Sequence, residues 1–215
     1  MSSQENQLSE IYDRLLRFFG PQGWWPGDSA FEVIIGAVLT QNTNWNNVSR
    51  AIDNLRRAGC LSFEKMSSLP VQLLAEYIRP AGYYNVKAAR LGNLFTMIRE
   101  QFGNDPERML QEETASLRQA LLSVKGIGQE TADSILLYAA KRPVFVIDAY
   151  TYRILVRHNL VPEDFGYEEM QQFFMDNMEA DHKLYNEYHA LLVNVGKDFC
   201  KKSNPRCPGC PLEGL

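Results

Sequence analysis

Apolar residues recur at helical spacing along almost the whole chain. Leu8, Ile11, Tyr12, Leu15, Phe18 and Phe19 form one stripe, and Leu91, Leu94, Phe95 and Ile98 form another. Intervals of three and four residues put such side chains on one face of an α-helix. No segment carries a convincing strand pattern. Helix punctuation agrees: Ser29 and Glu32 stand in capping-box spacing before Val33 to Leu39, and Pro70 opens a segment running through Leu73, Leu74 and Ile78. Val144-Phe145-Val146-Ile147 has the look of a short buried strand. Its shortness, and the helical pattern of AYTYRILVRHNL after it, predict instead a connector leading into a helix. The expected fold class is all-α.

Composition narrows the function classes. A chain of 215 residues that is 45% hydrophobic can bury a substantial core, as one large domain or two small lobes. No apolar run approaches the roughly 20 residues of a membrane span, and the start, MSSQENQLSE, lacks the basic and apolar regions of a secretory signal. An intracellular, cytoplasmic protein without a membrane role is expected. The net charge of −4, with pI near 5.5, argues against a generic polyanion binder. Any contact with nucleic acid then needs a local basic surface. Lys125, Lys87, Arg90, Lys197, Lys201, Lys202 and Arg206 are the candidates for it, against the alternative that each belongs to an ordinary solvated face.

Two places carry candidate chemistry. In VKGIGQETA, Gly126 and Gly128 flank Ile127 between two helical segments, so the turn can bring backbone N–H groups close to an anion while Ile127 pegs it into the core. A phosphate suits such a turn. Eighteen residues after Glu130, Asp148 stands as a lone acid at the end of an apolar run, where partial desolvation makes its charge available to a cationic transition state. Capping of the following helix is the competing explanation, because Asp is a favoured N-cap.

These features, with WWPGDSAFEVIIGAVLTQNTNW at 24–45, AGYYNVKA at 81–88 and a C-terminal cysteine cluster, resemble the helix-hairpin-helix DNA glycosylases of the endonuclease III superfamily over nearly the whole chain. The branch it is most similar to is that of 3-methyladenine DNA glycosylase III. The resemblance implies a two-lobed fold with a cleft between a six-helix lobe (30–142) and a second lobe of N- and C-terminal helices (1–29 and 143–215). It also implies double-stranded DNA with a damaged base as partner, in a nucleoid-associated repair role. A monomer suffices for that chemistry.

Residue roles follow from the same resemblance. Asp148 is the expected catalytic group. Trp25 and Trp45, with Trp24 and Glu130, fall at the base pocket, although large rings are as much at home in a core. Gln41 matches the position that enters the space left by an extruded base, and Tyr83 the position that wedges the opposite strand. In local terms Gln41 could equally cap a helix and Tyr83 could be a turn residue. Lys125, Gly126, Ile127 and Gly128 form the phosphate-gripping turn. Superfamily members that also cut the strand carry a lysine where this chain has Glu130, and a carboxylate cannot form an imine. The expectation is a monofunctional glycosylase acting on an alkylated purine such as 3-methyladenine, a base that is already positively charged and leaves readily. Its rivals are a bifunctional glycosylase and lyase for oxidised pyrimidines, and a damage-binding protein without catalysis.

Cys200, Cys207 and Cys210 follow Cys-x6-Cys-x2-Cys, which resembles the superfamily's 4Fe-4S loop. That pattern continues with x5-Cys, one residue beyond Leu215, so the fourth ligand is absent from the chain and Cys60 is a poor substitute. Zinc with His182 or His189 as a fourth ligand, and no metal at all, are the alternatives. A disulfide is not expected in an intracellular protein.

Overall fold

The structure, a computed structural model, describes residues 3–215. Its regular elements are α1 (Ser3–Phe19), α2 (Ala30–Leu39), α3 (Trp45–Arg57), α4 (Phe63–Ser68), α5 (Val71–Tyr77), α6 (Tyr84–Phe102), α7 (Pro106–Gln111), α8 (Thr114–Ser123), α9 (Gln129–Ser134), α10 (Ala149–Arg157), α11 (Tyr167–Asn177) and α12 (His182–Asp198). A 3-10 turn at Arg79–Ala81 precedes α6, and a π-helical turn at Ile135–Ala139 continues α9. No strand occurs among the described residues, so the all-α expectation holds. None of their helices is long and apolar enough to cross a membrane.

The chain divides into two compact units, Pro26–Ala140 and Met1–Trp25 with Lys141–Leu215. The first is built around α2. Its sequence AFEVIIGAVL is apolar on every side, and residues 31–39 are all buried, as a helix must be when it has no polar face to show water. It packs on α3, α6, α7, α9 and the π turn. Phe31, Phe63 and Phe95 cluster at its start, with ring centroids 5.7 to 6.3 Å apart. Ser29 caps α2 by accepting the Glu32 N–H at 3.2 Å. The reciprocal half of a capping box does not form, because the buried Glu32 carboxylate takes the Arg56 guanidinium at 2.9 and 3.0 Å.

In the second unit α12 packs on α1 and α10, α1 also packs on α11, and Phe145 stacks on Phe174 at 3.8 Å and meets Tyr185 and Tyr188 edge-on. The Tyr188 hydroxyl donates to the Leu8 carbonyl at 2.9 Å and so ties α12 to α1. Val144 to Ile147 are buried without strand pairing, in keeping with a connector. Buried backbone needs partners. Side chains of α11 and its start supply them: Gln171 donates to the Phe145 carbonyl at 2.7 Å, and the Ile147 N–H reaches the Tyr167 hydroxyl at 3.4 Å.

Candidate functional site

Within residues 26–140 the hairpin is the turn between α8 and α9. Val124 and Ile127 are buried, whereas Lys125, Gly126, Gly128 and Glu130 are exposed. Ile127 donates its N–H to the Val124 carbonyl at 3.0 Å, which closes the turn and leaves the glycines on its outer side. The two helices are locked behind it by Arg118, whose guanidinium grips the fully buried Asp133 at 2.7 and 3.1 Å. Loss of one partner from such a buried pair costs about 3 to 5 kcal/mol, so the lock resists splaying of the hairpin. Gly126 has φ +99, and a Cβ there would meet Arg90 Cγ at 2.5 Å, so both conformation and space require glycine. Gly128 has no such constraint, with nothing within 4 Å of its would-be Cβ.

Gln41 sits in the loop after α2 and is fastened to this hairpin. Its Nε2 donates to the Gly126 carbonyl at 3.0 Å and to Thr131 Oγ1 at 2.9 Å, while Arg90 donates to its Oε1. It does not cap a helix. Tyr83 is 72% exposed, holds φ +46 at the N-cap of α6 and follows Gly82 at φ +66. That left-handed pair turns a large ring out of the unit into solvent. Such exposure of an aromatic side chain has no packing explanation.

Lys87 is not part of a basic surface. It is only 1% exposed, and its ammonium donates to the Leu39 and Ala81 carbonyls, each at 2.8 Å. Burial, with the charge of Arg90 adding, pushes it down to about 8. In the unfolded chain the same amine keeps its proton to about pH 10.5, so between these values the unfolded state binds more protons and rising pH favours the folded state. Relative to Lys87→Met, the native chain should therefore gain ~3 kcal/mol of stability as pH rises through that window and show a flat difference below it. Urea midpoints of both proteins across the window check this.

In the unit that contains α10 to α12, Asp148 is the N-cap of α10. Its Oδ1 accepts the N–H groups of Tyr150 at 3.0 Å and Thr151 at 2.7 Å, so the capping role is real. Oδ2 is left outside the cap and faces Nε2 of the buried His189 at 3.7 Å. The Asp148 side chain keeps 12% exposure. Burial lowers the His189 imidazole below its ordinary value, against the opposing pull of Asp148. Trp24 and Trp25 lie in the segment after α1, half-buried, with ring centroids 5.3 Å apart. The stretch before them is clamped to α12: Glu187 accepts the Gln22 and Gly23 N–H groups, and Asn194 donates to Gln22 Oε1 at 2.6 Å. Trp45, in the other unit, opens α3 and is likewise half-buried. None of the three tryptophans is a core residue.

Residues 35–180 match the sequence profile of the HhH-GPD superfamily of base excision DNA repair proteins. The chain belongs to this superfamily. A protein of Methanocaldococcus jannaschii that carries the name of a DNA repair glycosylase is 46% identical over 207 residues, 96% of this chain and 94% of that one. The H. pylori 3-methyladenine DNA glycosylase MagIII, solved with 1,N6-ethenoadenine bound, matches with a TM-score of 0.77 at 33% identity, covering 91% of this chain and 98% of its own. An endonuclease III trapped covalently on DNA matches at a TM-score of 0.81 and 21% identity, over 99% of this chain and 94% of that one, a likeness of fold alone.

The three cysteines for which the iron-sulfur expectation stood lie in one loop of this HhH-GPD protein. Cys200, Cys207 and Cys210 are near enough that the charges of the first two add to the effect of burial, which raises the Cys210 thiol. Yet no three His, Cys, Asp or Glu side chains among the described residues are arranged to hold a metal ion. Protein contacts shape the loop instead: Arg157 donates to Cys200 Sγ at 3.3 Å and to the Lys201 and Lys202 carbonyls at 2.7 and 3.0 Å, and Glu213 accepts the Gly209 N–H at 2.9 Å. Lys197, Lys202 and Arg206 are exposed around this loop.

The sequence pointed to His189 only as an alternative zinc ligand, and it gave no sign of Thr131, Glu187 or the burial of Lys87.

Proposed function

We propose that this DNA glycosylase is monofunctional and hydrolyses the N-glycosidic bond of an alkylated purine, such as 3-methyladenine, extruded from duplex DNA. The observation that carries the reading is the divided carboxylate of Asp148. Oδ1 is fixed by the helix cap, and Oδ2 remains outside it, 3.7 Å from the His189 imidazole. A fixed carboxylate oxygen lowers the energy of positive charge developing on a sugar. In the proposed reaction the C1′–N9 bond breaks and its electron pair leaves with the base, cancelling the charge that alkylation placed on the purine. Water forms the new C1′–O bond, and its proton passes to Asp148 or onward to solvent.

The other parts serve recognition. The hairpin from Lys125 to Gly128 takes a phosphate on its exposed backbone, with Lys125 as the adjacent cation. Gln41 exchanges its bonds to Gly126 and Thr131 for bonds to the orphaned strand, and the ring of Tyr83 wedges the stack. Trp24, Trp25 and Trp45 supply π faces that suit a cationic base. Glu130, exposed on the second helix of the hairpin, leaves water as the nucleophile. The similarity to MagIII supports the choice of an alkylated purine.

Borohydride separates this reading from a lyase. Incubation with lesion-bearing duplex under reduction should yield no protein–DNA adduct, because no imine forms. An adduct, with strand breaks accompanying base release, would place the chain with the bifunctional enzymes.

A further inference from the structure

One face of α6 holds three loops at once. Lys87, Arg90 and Asn93 follow one another at intervals of three residues, and Tyr83 is the N-cap of the same helix. Lys87 reaches the Leu39 carbonyl at the end of α2, where the Gln41 loop begins, and the Ala81 carbonyl just before Gly82 and Tyr83. Arg90 donates to Gln41 and passes directly under Gly126. Asn93 donates to the Lys125 carbonyl at 3.0 Å. The Ala81 carbonyl is also shared, because Thr43 of the Gln41 loop donates its hydroxyl to it at 2.6 Å.

We propose that this face of α6 is the spine that fixes the spacing of the hairpin, the Gln41 loop and the Tyr83 loop, with Lys87 as the positioning residue that couples Gln41 to Tyr83. The inference rests on the reading that Gln41 and Tyr83 enter the duplex. On that reading Gln41 and Tyr83 act on the same opened duplex, and two independently mobile loops would each have to be ordered on binding. A shared buried pin moves that ordering into folding. Lysine suits the task. Its three donors can satisfy two carbonyls at once, and the carbonyl at the end of α2 lies at the negative pole of the helix and has no partner within it.

Dissociation constants test this with two probes: a duplex containing a tetrahydrofuran abasic analogue, and the analogue-bearing strand alone. Gln41→Ala, Tyr83→Ala and their combination are measured in the native, Lys87→Met and Thr43→Val backgrounds. In the native background the double substitution should cost about fivefold less duplex affinity than the product of the singles, the mark of coupled sites. In Lys87→Met that coupling should vanish and the preference for duplex over single strand should drop about tenfold, with single-strand affinity within about twofold. General destabilisation would lower both affinities together. A folded Lys87→Met protein with native coupling and native duplex preference overturns the proposal. If Lys87→Met does not fold, Thr43→Val decides, with a fall in coupling expected and unchanged coupling fatal. Native-like duplex binding by both Gln41→Ala and Tyr83→Ala would instead sink the reading of the loops, and the spine with it.

Discussion

Asp148→Asn should release base from alkylated duplex DNA about 100- to 1,000-fold more slowly than the native protein, the loss typical of removing one group aimed at developing charge. Duplex affinity should stay within about threefold, since the substitution leaves the hairpin and both loops untouched. Asparagine is as good an N-cap as aspartate, so its amide oxygen can keep the bonds from Tyr150 and Thr151 and α10 should remain intact. The thermal midpoint therefore serves as a control. Asp148→Ala, which removes the cap as well, should lose ~1 kcal/mol of stability on top of activity. Retention of full base release in Asp148→Asn would show that the carboxylate only caps.

Gly126→Ala should be the most damaging single-methyl change in the hairpin. The new Cβ would lie 2.5 Å from Arg90 Cγ, and the backbone holds φ +99. Strain of about 1 to 3 kcal/mol is expected from the conformation alone. Displacement of Arg90 would also break its bond to Gln41 and loosen the loop that depends on it. Duplex affinity should fall about 10- to 100-fold, read as a dissociation constant. Gly128→Ala makes the contrast. With nothing within 4 Å of its Cβ and no left-handed φ, it should leave stability within about 0.5 kcal/mol. Any loss of affinity in that variant then measures how closely the backbone approaches a phosphate. Arg90→Ala in the Gly126→Ala background should recover part of the stability; no recovery would mean that the clash is not what the methyl costs.

Much of this was legible from residue order because helices write their burial into a short repeat. The stripe from Leu8 to Phe19 is α1, the stripe from Leu91 to Ile98 lies in α6, and Ser29 does cap α2. The connector at Val144 to Ile147 was also readable, since its apolar run is too short to need strand partners. Long-range polar pairing was not readable. Glu32 belongs to Arg56 rather than to its own cap, Gln41 bonds to Gly126 across 85 positions, and Gln22 finds Glu187 across 165. No local period encodes such partners, because they are chosen by how the helices pack. His189 entered the sequence reading only as a weak zinc ligand, yet it is the side chain facing Asp148 Oδ2. Lys87 illustrates the same gap: its charge suggested a surface, and two carbonyls brought it inside. The cysteine spacing is a pattern along the chain, and spacing alone does not set how three thiols face one another in space.

The most direct measurement is chromatography with mass detection of the small molecules freed when the purified protein is mixed with methylated duplex DNA, alongside denaturing gels of the same strands. Free 3-methyladenine, with strands left whole until alkali is added, is the predicted result. Absence of any freed base, or base release that always comes with a broken strand, would contradict it.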